Sequence, residues 1–261
     1  MADVEEVLFP RRKERSEDRR KEREHRKLLD EFFDHPTLVA ISRLVTQGQF
    51  DQLDYPISTG KEGGVFRATV LAGGFRAVKV YRIGNAVFRR LPAHALEELR
   101  REASMGNYGR LVAAWTRREH TMLRRLFEAE VRCPRPYGYL RNVLVMDFVG
   151  TEGLPAPRMQ NAVLSDPQAV HDDLVVQVRR MVQGARLVHG DLSPYNVLMD
   201  DGQPVLIDVA QSIDAAHPEA RALLERDVTN FAKYFAKLGV STSGKEFLAA
   251  VGPLDLGPKE G

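Results

Sequence analysis

Three polar residues towards the end of the 261-residue chain have the types and spacing to act on a phosphate. Residues 189–199 read HGDLSPYNVLM, and Asp208 follows in the run VLIDVA. Asp191 can take a proton from an attacking hydroxyl or water, and Asn196 with Asp208 can hold a divalent ion through oxygen. Asp191 and Asn196 are five residues apart in a short polar loop. The apolar runs 197–199 and 205–207 flank the turn Asp200-Asp201-Gly202, which is a β-hairpin signal. A hairpin brings the loop before its first strand close to the end of its second, so Asp191, Asn196 and Asp208 should converge. The competing reading is an acidic turn in an ordinary hairpin.

Upstream residues favour the chemical reading. Residues 57–68 read ISTGKEGGVFRA, where two strands should meet at a glycine-bearing turn. Glycine lets backbone amides approach phosphate oxygens. The stretch is not a GxxxxGK[ST] loop, no long helix follows it, and alone it is only a turn. Lys79 changes the balance: it sits inside the apolar strand FRAVKVY, where a lysine is costly unless paired or facing a ligand. Its distance from the glycine turn suits contact with α- and β-phosphates. Glu119 lies four residues after Trp115 and four before Leu123 on a helix expected over 112–129. It can project towards Lys79 and orient it. Glu128 and Glu130 compete by type, but they lie at the helix end. Residues 143–149, VLVMDFV, read as a buried strand leading to a hinge. There Met146 would line an adenine pocket, and backbone groups around 147–149 would hydrogen-bond the base.

The elements that must position these groups follow from periodicity. Stripes at Leu28, Leu29, Phe32 and Phe33, and at Leu38, Ile41, Leu44 and Val45, predict two short helices about Pro36. Residues 51–56 read as a connector. Residues 82–110 are basic and poorly periodic, an expected insert beside the nucleotide. Helices are expected over 171–184 and 219–238, with a loop over 155–166. Composition, at 43% hydrophobic, supports a large core. One cysteine, Cys133, excludes an internal disulfide and a cysteine-based zinc site. No secretion signal and no long apolar stretch is legible, so a cytoplasmic location with no membrane partner is expected. Net charge is only +2, but residues 11–27 carry ten Arg/Lys against five Asp/Glu. That arm is a solvated tail or a contact for phosphate backbones.

Taken together, STGKEGGVF, AVKVY, the helix around Trp115 and Glu119, LVMDFVG, LPAPR, LVHGDLSPYNVL, and IDVAQS followed by HPEA resemble the RIO family of atypical kinases. The resemblance is strongest to the type-one branch and runs from about Ser58 to His217. It implies an α+β fold, a trimmed two-lobed protein-kinase domain. Its N-terminal lobe is an antiparallel sheet with a helix, and its C-terminal lobe is mostly helical, without a conventional activation segment. The expected division is a basic arm at 1–27, helices at 28–56, the N-terminal lobe and hinge at 57–149, and the C-terminal lobe at 150–261.

The resemblance also implies roles. Ser58, Thr59, Gly60, Lys61, Glu62, Gly63, Gly64 and Val65 would form the phosphate loop. Lys79 would contact phosphates and Glu119 would orient it. Met146, Phe148 and Val149 would border adenine. Asp191 would be the catalytic aspartate, and Asn196 and Asp208 the metal ligands. In this family the residue matching Asp208 can also take phosphate. ATP and magnesium, with manganese as an alternative, are the implied cofactors. Members autophosphorylate, behave as ATPase switches, and act in maturation of the small ribosomal subunit. The Gly63-Gly64 pair departs from the usual pattern and implies a looser loop. Residues after Tyr81 depart further, and the N-terminal helices do not read as the type-two branch's winged helix. Two other classes stand beside the kinase reading: a catalytically weak nucleotide-binding assembly factor, and a nucleic-acid-binding module with a kinase-like core.

Overall fold

The computed structural model describes residues 33–83, 99 and 108–254. The charged arm, the first predicted helical stripe up to residue 32, and most of the basic insert lie outside the described residues. The chain divides at His120/Thr121, Arg135/Pro136 and Phe148/Val149 into two compact units.

The first unit is built on a five-stranded antiparallel sheet in the order β1-β2-β3-β5-β4. Its strands are β1 (Gln52–Thr59), β2 (Gly63–Thr69), β3 (Phe75–Tyr81), β4 (Pro136–Leu140) and β5 (Val143–Asp147). Helix α1 (His35–Thr46) starts at Asp34, whose carboxylate accepts the Thr37 N–H at 2.9 Å, with Pro36 in the first turn. Ala40, Ile41 and Leu44 of α1 share one apolar core with Phe33, Phe66, Val78, Val80, Val143 and Val145. Pro36 thus lies in the first turn of the second predicted helix. The expected connector at 51–56 is mostly strand. Its alternation holds Leu53 in the core, and Pro56 is tolerated because β1 is an edge strand with a register irregularity there.

Helix α2 (Tyr108–Glu128) starts before the predicted 112, and its residues from Thr121 onward belong to the second unit. The stretch 121–135, expected within the N-terminal lobe, is bound to second-unit partners. Arg125 donates to the Ala185 carbonyl at 2.8 Å, and Arg132 donates to Asp173 at 2.8 Å and to the Pro204 carbonyl at 3.0 Å.

The second unit holds the short pair β6 (Gly150–Thr151) and β7 (Leu154–Pro155), helix α3 (Pro167–Arg179), and a π-helical turn at Arg180–Gly184. Next come β8 (Leu187–Val188), the hairpin β9 (Val197–Asp200) and β10 (Gln203–Leu206), and β11 (Ile213–Asp214). Helices α4 (Ala220–Lys237) and α5 (Gly244–Val251) complete it. The predicted loop at 155–166 contains a 3-10 turn, Met159–Asn161, that buries Met159. Between Asp208 and α4 the chain makes only a 3-10 turn at Val209–Gln211 and the two residues of β11, which pair with β8. Helix α5, absent from the sequence reading, is anchored by Phe247 and by His171 of α3. The His171 ring meets Phe247 and Phe235 edge-on, and its Nε2 lies 3.1 Å from the Thr242 hydroxyl.

Candidate active site

In the first unit, β1 and β2 are joined by a turn at residues 60–62. Ser58, Thr59, Gly60, Lys61 and Glu62 are exposed, Gly64 is buried, and Val65 stands opposite Lys79 in the ladder. The Gly60 N–H donates to the Gly63 carbonyl at 2.8 Å, and the Arg82 N–H donates to the Glu62 carbonyl at 3.0 Å. A Cβ on Gly63 would lie 2.4 Å from the Val80 carbonyl oxygen, so no side chain fits there. Gly63-Gly64 therefore does not slacken the loop: it lets β2 run against β3 up to Tyr81, and the turn is fastened at both ends.

Lys79 projects from β3 to Glu119 of α2, its Nζ 2.7 Å from Oε1. Glu119 is 1% exposed, and its Oε2 accepts a hydrogen bond from the buried Tyr81 hydroxyl. A buried carboxylate must be paired or its ionised form is prohibitively costly, and here both oxygens are used. Glu128 instead faces Arg124 one turn away on the exposed side, and Glu130 lies past the helix end at φ 56°. At the end of β5, Met146 is buried opposite Ala77 and Asp147 accepts the Tyr137 hydroxyl at 2.7 Å. Phe148 packs on Phe75, with ring centroids 5.8 Å apart. Val149 belongs to the second unit. Its carbonyl accepts the Ala156 N–H at 3.0 Å, so what it can offer a ligand is its N–H.

In the second unit, the turn between β9 and β10 has positive φ at both Asp201 and Gly202, 47° and 74°. Two left-handed residues make the hairpin turn whose twist matches the strands, and Asp-Gly is a preferred pair for it. The hairpin brings the predicted groups together. Asn196 Nδ2 donates to the Asp191 carbonyl at 2.8 Å, and the Ile207 N–H donates to the Asn196 carbonyl at 3.0 Å. Asp208, the next residue, is exposed and held in the left-handed region at φ 62°, ψ 50°. Such a backbone conformation is uncommon outside glycine, though aspartate tolerates it better than most residues.

Two buried polar residues underpin this loop, and one of them sequence reasoning passed over. His189 is buried and its Nε2 lies 3.0 Å from the Ile207 carbonyl. A carbonyl only accepts, so Nε2 carries the proton, and Nδ1 has no hydrogen-bond partner. Asp227 of α4 is 1% exposed. Its Oδ2 accepts the Gly190 N–H at 2.9 Å, while Arg226 donates to the Gly190 carbonyl. Burial pushes the Asp227 carboxyl above its ordinary value, opposed by the His189 charge, the Leu192 N–H, the Arg226 charge and the Gly190 N–H.

The donor set suits a hard divalent cation. The Asn196 amide NH₂ is turned onto Asp191, which leaves its oxygen as the group to coordinate. Asp208 adds an exposed carboxylate. Among the described residues, no three His, Cys, Asp or Glu side chains gather into a metal cage. Magnesium, unlike zinc, is commonly held by one or two carboxylates together with substrate phosphates and water.

Comparison with known proteins follows the same lines. The RIO domain family matches residues 64–247. The chain is 38% identical over 248 residues to the RIO-type serine/threonine-protein kinase Rio1 of Haloferax volcanii, covering 94% of this chain and 85% of that one. It is 33% identical to the Rio1 of Methanocaldococcus jannaschii, over 94% of this chain and 84% of that one. The human serine/threonine-protein kinase RIO1 is 34% identical over 88% of this chain, which spans only 41% of the human protein. Among solved structures, a Rio2 kinase–ADP/Mg2+–phosphoaspartate complex from Chaetomium thermophilum superposes with a TM-score of 0.64 at 22% identity, covering 82% of this chain and 65% of that one. At that identity the likeness speaks for the fold.

Proposed function

The chain belongs to the RIO family of serine/threonine kinases, in its type-one branch, and from that premise we propose that it is an ATP- and magnesium-dependent kinase that also hydrolyses ATP and phosphorylates itself. The observation that carries this reading is the Asp191–Asn196 hydrogen bond at the foot of the hairpin that leads on to Asp208, which supports a base and two metal donors in this part of the second unit.

Lys79, held by Glu119, binds phosphate oxygens and offsets their charge. Residues 58–65 cover the phosphates with backbone N–H groups, and Met146, Phe148 and Val149 border the base. Asn196 and Asp208 would hold magnesium, or manganese in its place, which would supply charge neutralisation on the phosphates. Asp191 orients a serine or threonine hydroxyl, or a water, and takes its proton as the oxygen bonds to the γ-phosphorus and ADP departs. Asp208 offers a second acceptor: its carboxylate can take the γ-phosphoryl group, and water then releases phosphate.

The short path from Asp208 to α4 favours self-phosphorylation and hydrolysis over transfer to a free protein. A peptide acceptor has little platform there, and misplacement by ~1 Å can cost on the order of 100-fold in rate. An ATPase switch in maturation of the small ribosomal subunit or another RNA–protein particle, in the cytoplasm, is the cellular role we favour. The basic arm at 11–27 would contact precursor RNA. Incubation with ATP and magnesium, followed by phosphate release and hydroxylamine trapping, tests the chemistry. Slow release with a hydroxylamine-labile phosphoprotein is expected. Efficient multiple-turnover phosphorylation of a defined protein, with no acyl phosphate, would overturn the switch. Deleting residues 1–27 should spare hydrolysis and weaken subunit co-sedimentation at low salt.

A further inference from the structure

Glu119 has two acidic oxygens and, in this structure, two donors: the Lys79 ammonium on Oε1 and the Tyr81 hydroxyl on Oε2. The same tyrosine presents its ring to the ammonium, 4.9 Å from Nζ to the centroid. Lys79 and Tyr81 are two apart on β3, so their side chains leave the same face of the sheet. Tyr81 therefore restricts Glu119 from one side and Lys79 from the other, with a cation–π contact added to a charge-assisted hydrogen bond.

The support continues away from the site. The Tyr81 N–H donates to the Asn142 backbone carbonyl at 2.9 Å, and Asn142 Nδ2 returns a hydrogen bond to the Tyr81 carbonyl at 2.8 Å. The other Nδ2 hydrogen goes to the Thr37 hydroxyl at 2.9 Å, and Thr37 donates to Asp34, the cap of α1. Asn142 Nδ2 thus links the Tyr81 backbone to Thr37, and Thr37 links on to the cap of α1. Thr37, Tyr81, Glu119 and Asn142 are all buried, so a lost partner is not replaced by water.

We infer that Tyr81 is a positioning residue for the phosphate-binding lysine, and that Asn142 and Thr37 extend this support to the cap of α1. The inference rests on the nucleotide role proposed for Lys79. Its consequence is that the N-terminal cap of α1 sets how firmly the lysine is held. Whatever pulls on α1 then acts on ATP affinity through hydrogen bonds rather than through the core alone.

The test is a set of variants, Tyr81→Phe, Glu119→Gln, their double, and Thr37→Val, read by ATP·Mg calorimetry, by KM and kcat for phosphate release, and by melting curves that establish a common temperature at which each is folded. Phenylalanine keeps the ring and loses the hydroxyl. Tyr81→Phe should raise the KM for ATP roughly tenfold and lower kcat less, whereas in the Glu119→Gln background it should add under ~2-fold. Thr37→Val should raise the same KM by about 2- to 3-fold. An unchanged KM in Tyr81→Phe, or an equal factor in the Glu119→Gln background, overturns the positioning role. An unchanged KM in Thr37→Val overturns the extension to α1. Wild-type protein that binds no ATP overturns the nucleotide reading and this inference together.

Discussion

The carboxylate of Asp227 and the backbone N–H of Gly190 are joined at 2.9 Å inside the second unit, and Arg226, the residue before Asp227, donates to the carbonyl of the same glycine. The loop carrying Asp191 is thus fixed at the residue immediately before the aspartate, by a side chain that touches no reacting atom.

Asp227→Ala should therefore damage turnover more than nucleotide binding. It strands a buried N–H, at a cost of about 1–3 kcal/mol. Phosphate release is expected to fall on the order of 10-fold or more, because Asp191 loses its aim, while ATP affinity stays within about 2-fold. Chemical denaturation and calorimetry on the same preparation separate the two effects.

Asp227 also gives stability a definite pH dependence. Its folded pKa is raised above the ordinary 3.8, chiefly by burial. The folded state therefore binds its proton more tightly than the unfolded chain does. The contribution is fully present below 3.8 and is lost as pH rises through the raised value. Urea midpoints of wild type, compared with Asp227→Asn across that window, should show the wild type losing stability relative to the variant as pH rises. A constant difference between the two would refute this assignment.

Metal-side and acceptor-side residues should separate. Asp208→Asn is expected to abolish magnesium-dependent nucleotide binding and turnover. Asp191→Ala should keep ATP affinity and lose turnover, since that carboxylate serves the attacking oxygen. Equal loss of affinity in both variants would contradict the assignment.

The phosphate turn offers a sharp contrast between neighbouring glycines. A methyl group at Gly63 meets the Val80 carbonyl at 2.4 Å, whereas at Gly60 the nearest atom is 3.9 Å away. Gly63→Ala should cost about 1–3 kcal/mol through forced separation of β2 from β3, and weaken ATP binding with it. Gly60→Ala should be tolerated in stability, so thermal melts rank the two directly.

The sequence made the second-unit hairpin readable because Asp201-Gly202 names its own turn and two apolar runs flank it. Lys79 and Glu119 were likewise legible, the one as a charge inside an apolar strand and the other by its spacing from Trp115 and Leu123. The supporting shell was harder to find. His189 reads as an ordinary loop histidine until the Ile207 carbonyl is placed beside it, and nothing near Asp227 in sequence announces that it is buried. Helix α5 did leave a signal, the S-x-x-E of Ser243 and Glu246, whose cap forms at 3.2 Å. The edge strand β1 was masked by Pro56, which argues against a strand except at an edge. The sharing of α2 between units could not be read, because it depends on where Arg125 finds carbonyls distant in sequence.

The hairpin also bears on the order of assembly. Asn196 and Asp208 are brought together by the β9–β10 hairpin itself, whereas Lys79 and Glu119 meet across 40 residues and need the sheet and helix around them. Hairpins close in roughly 1–10 μs, and contacts of long sequence separation form more slowly. The hairpin can thus take shape early during folding, and the lysine pair late. A destabilised variant that opens locally should lose protection against hydrogen exchange around Lys79 while the β9–β10 amides stay closed, so that the two halves of the proposed site would fail at different denaturant concentrations.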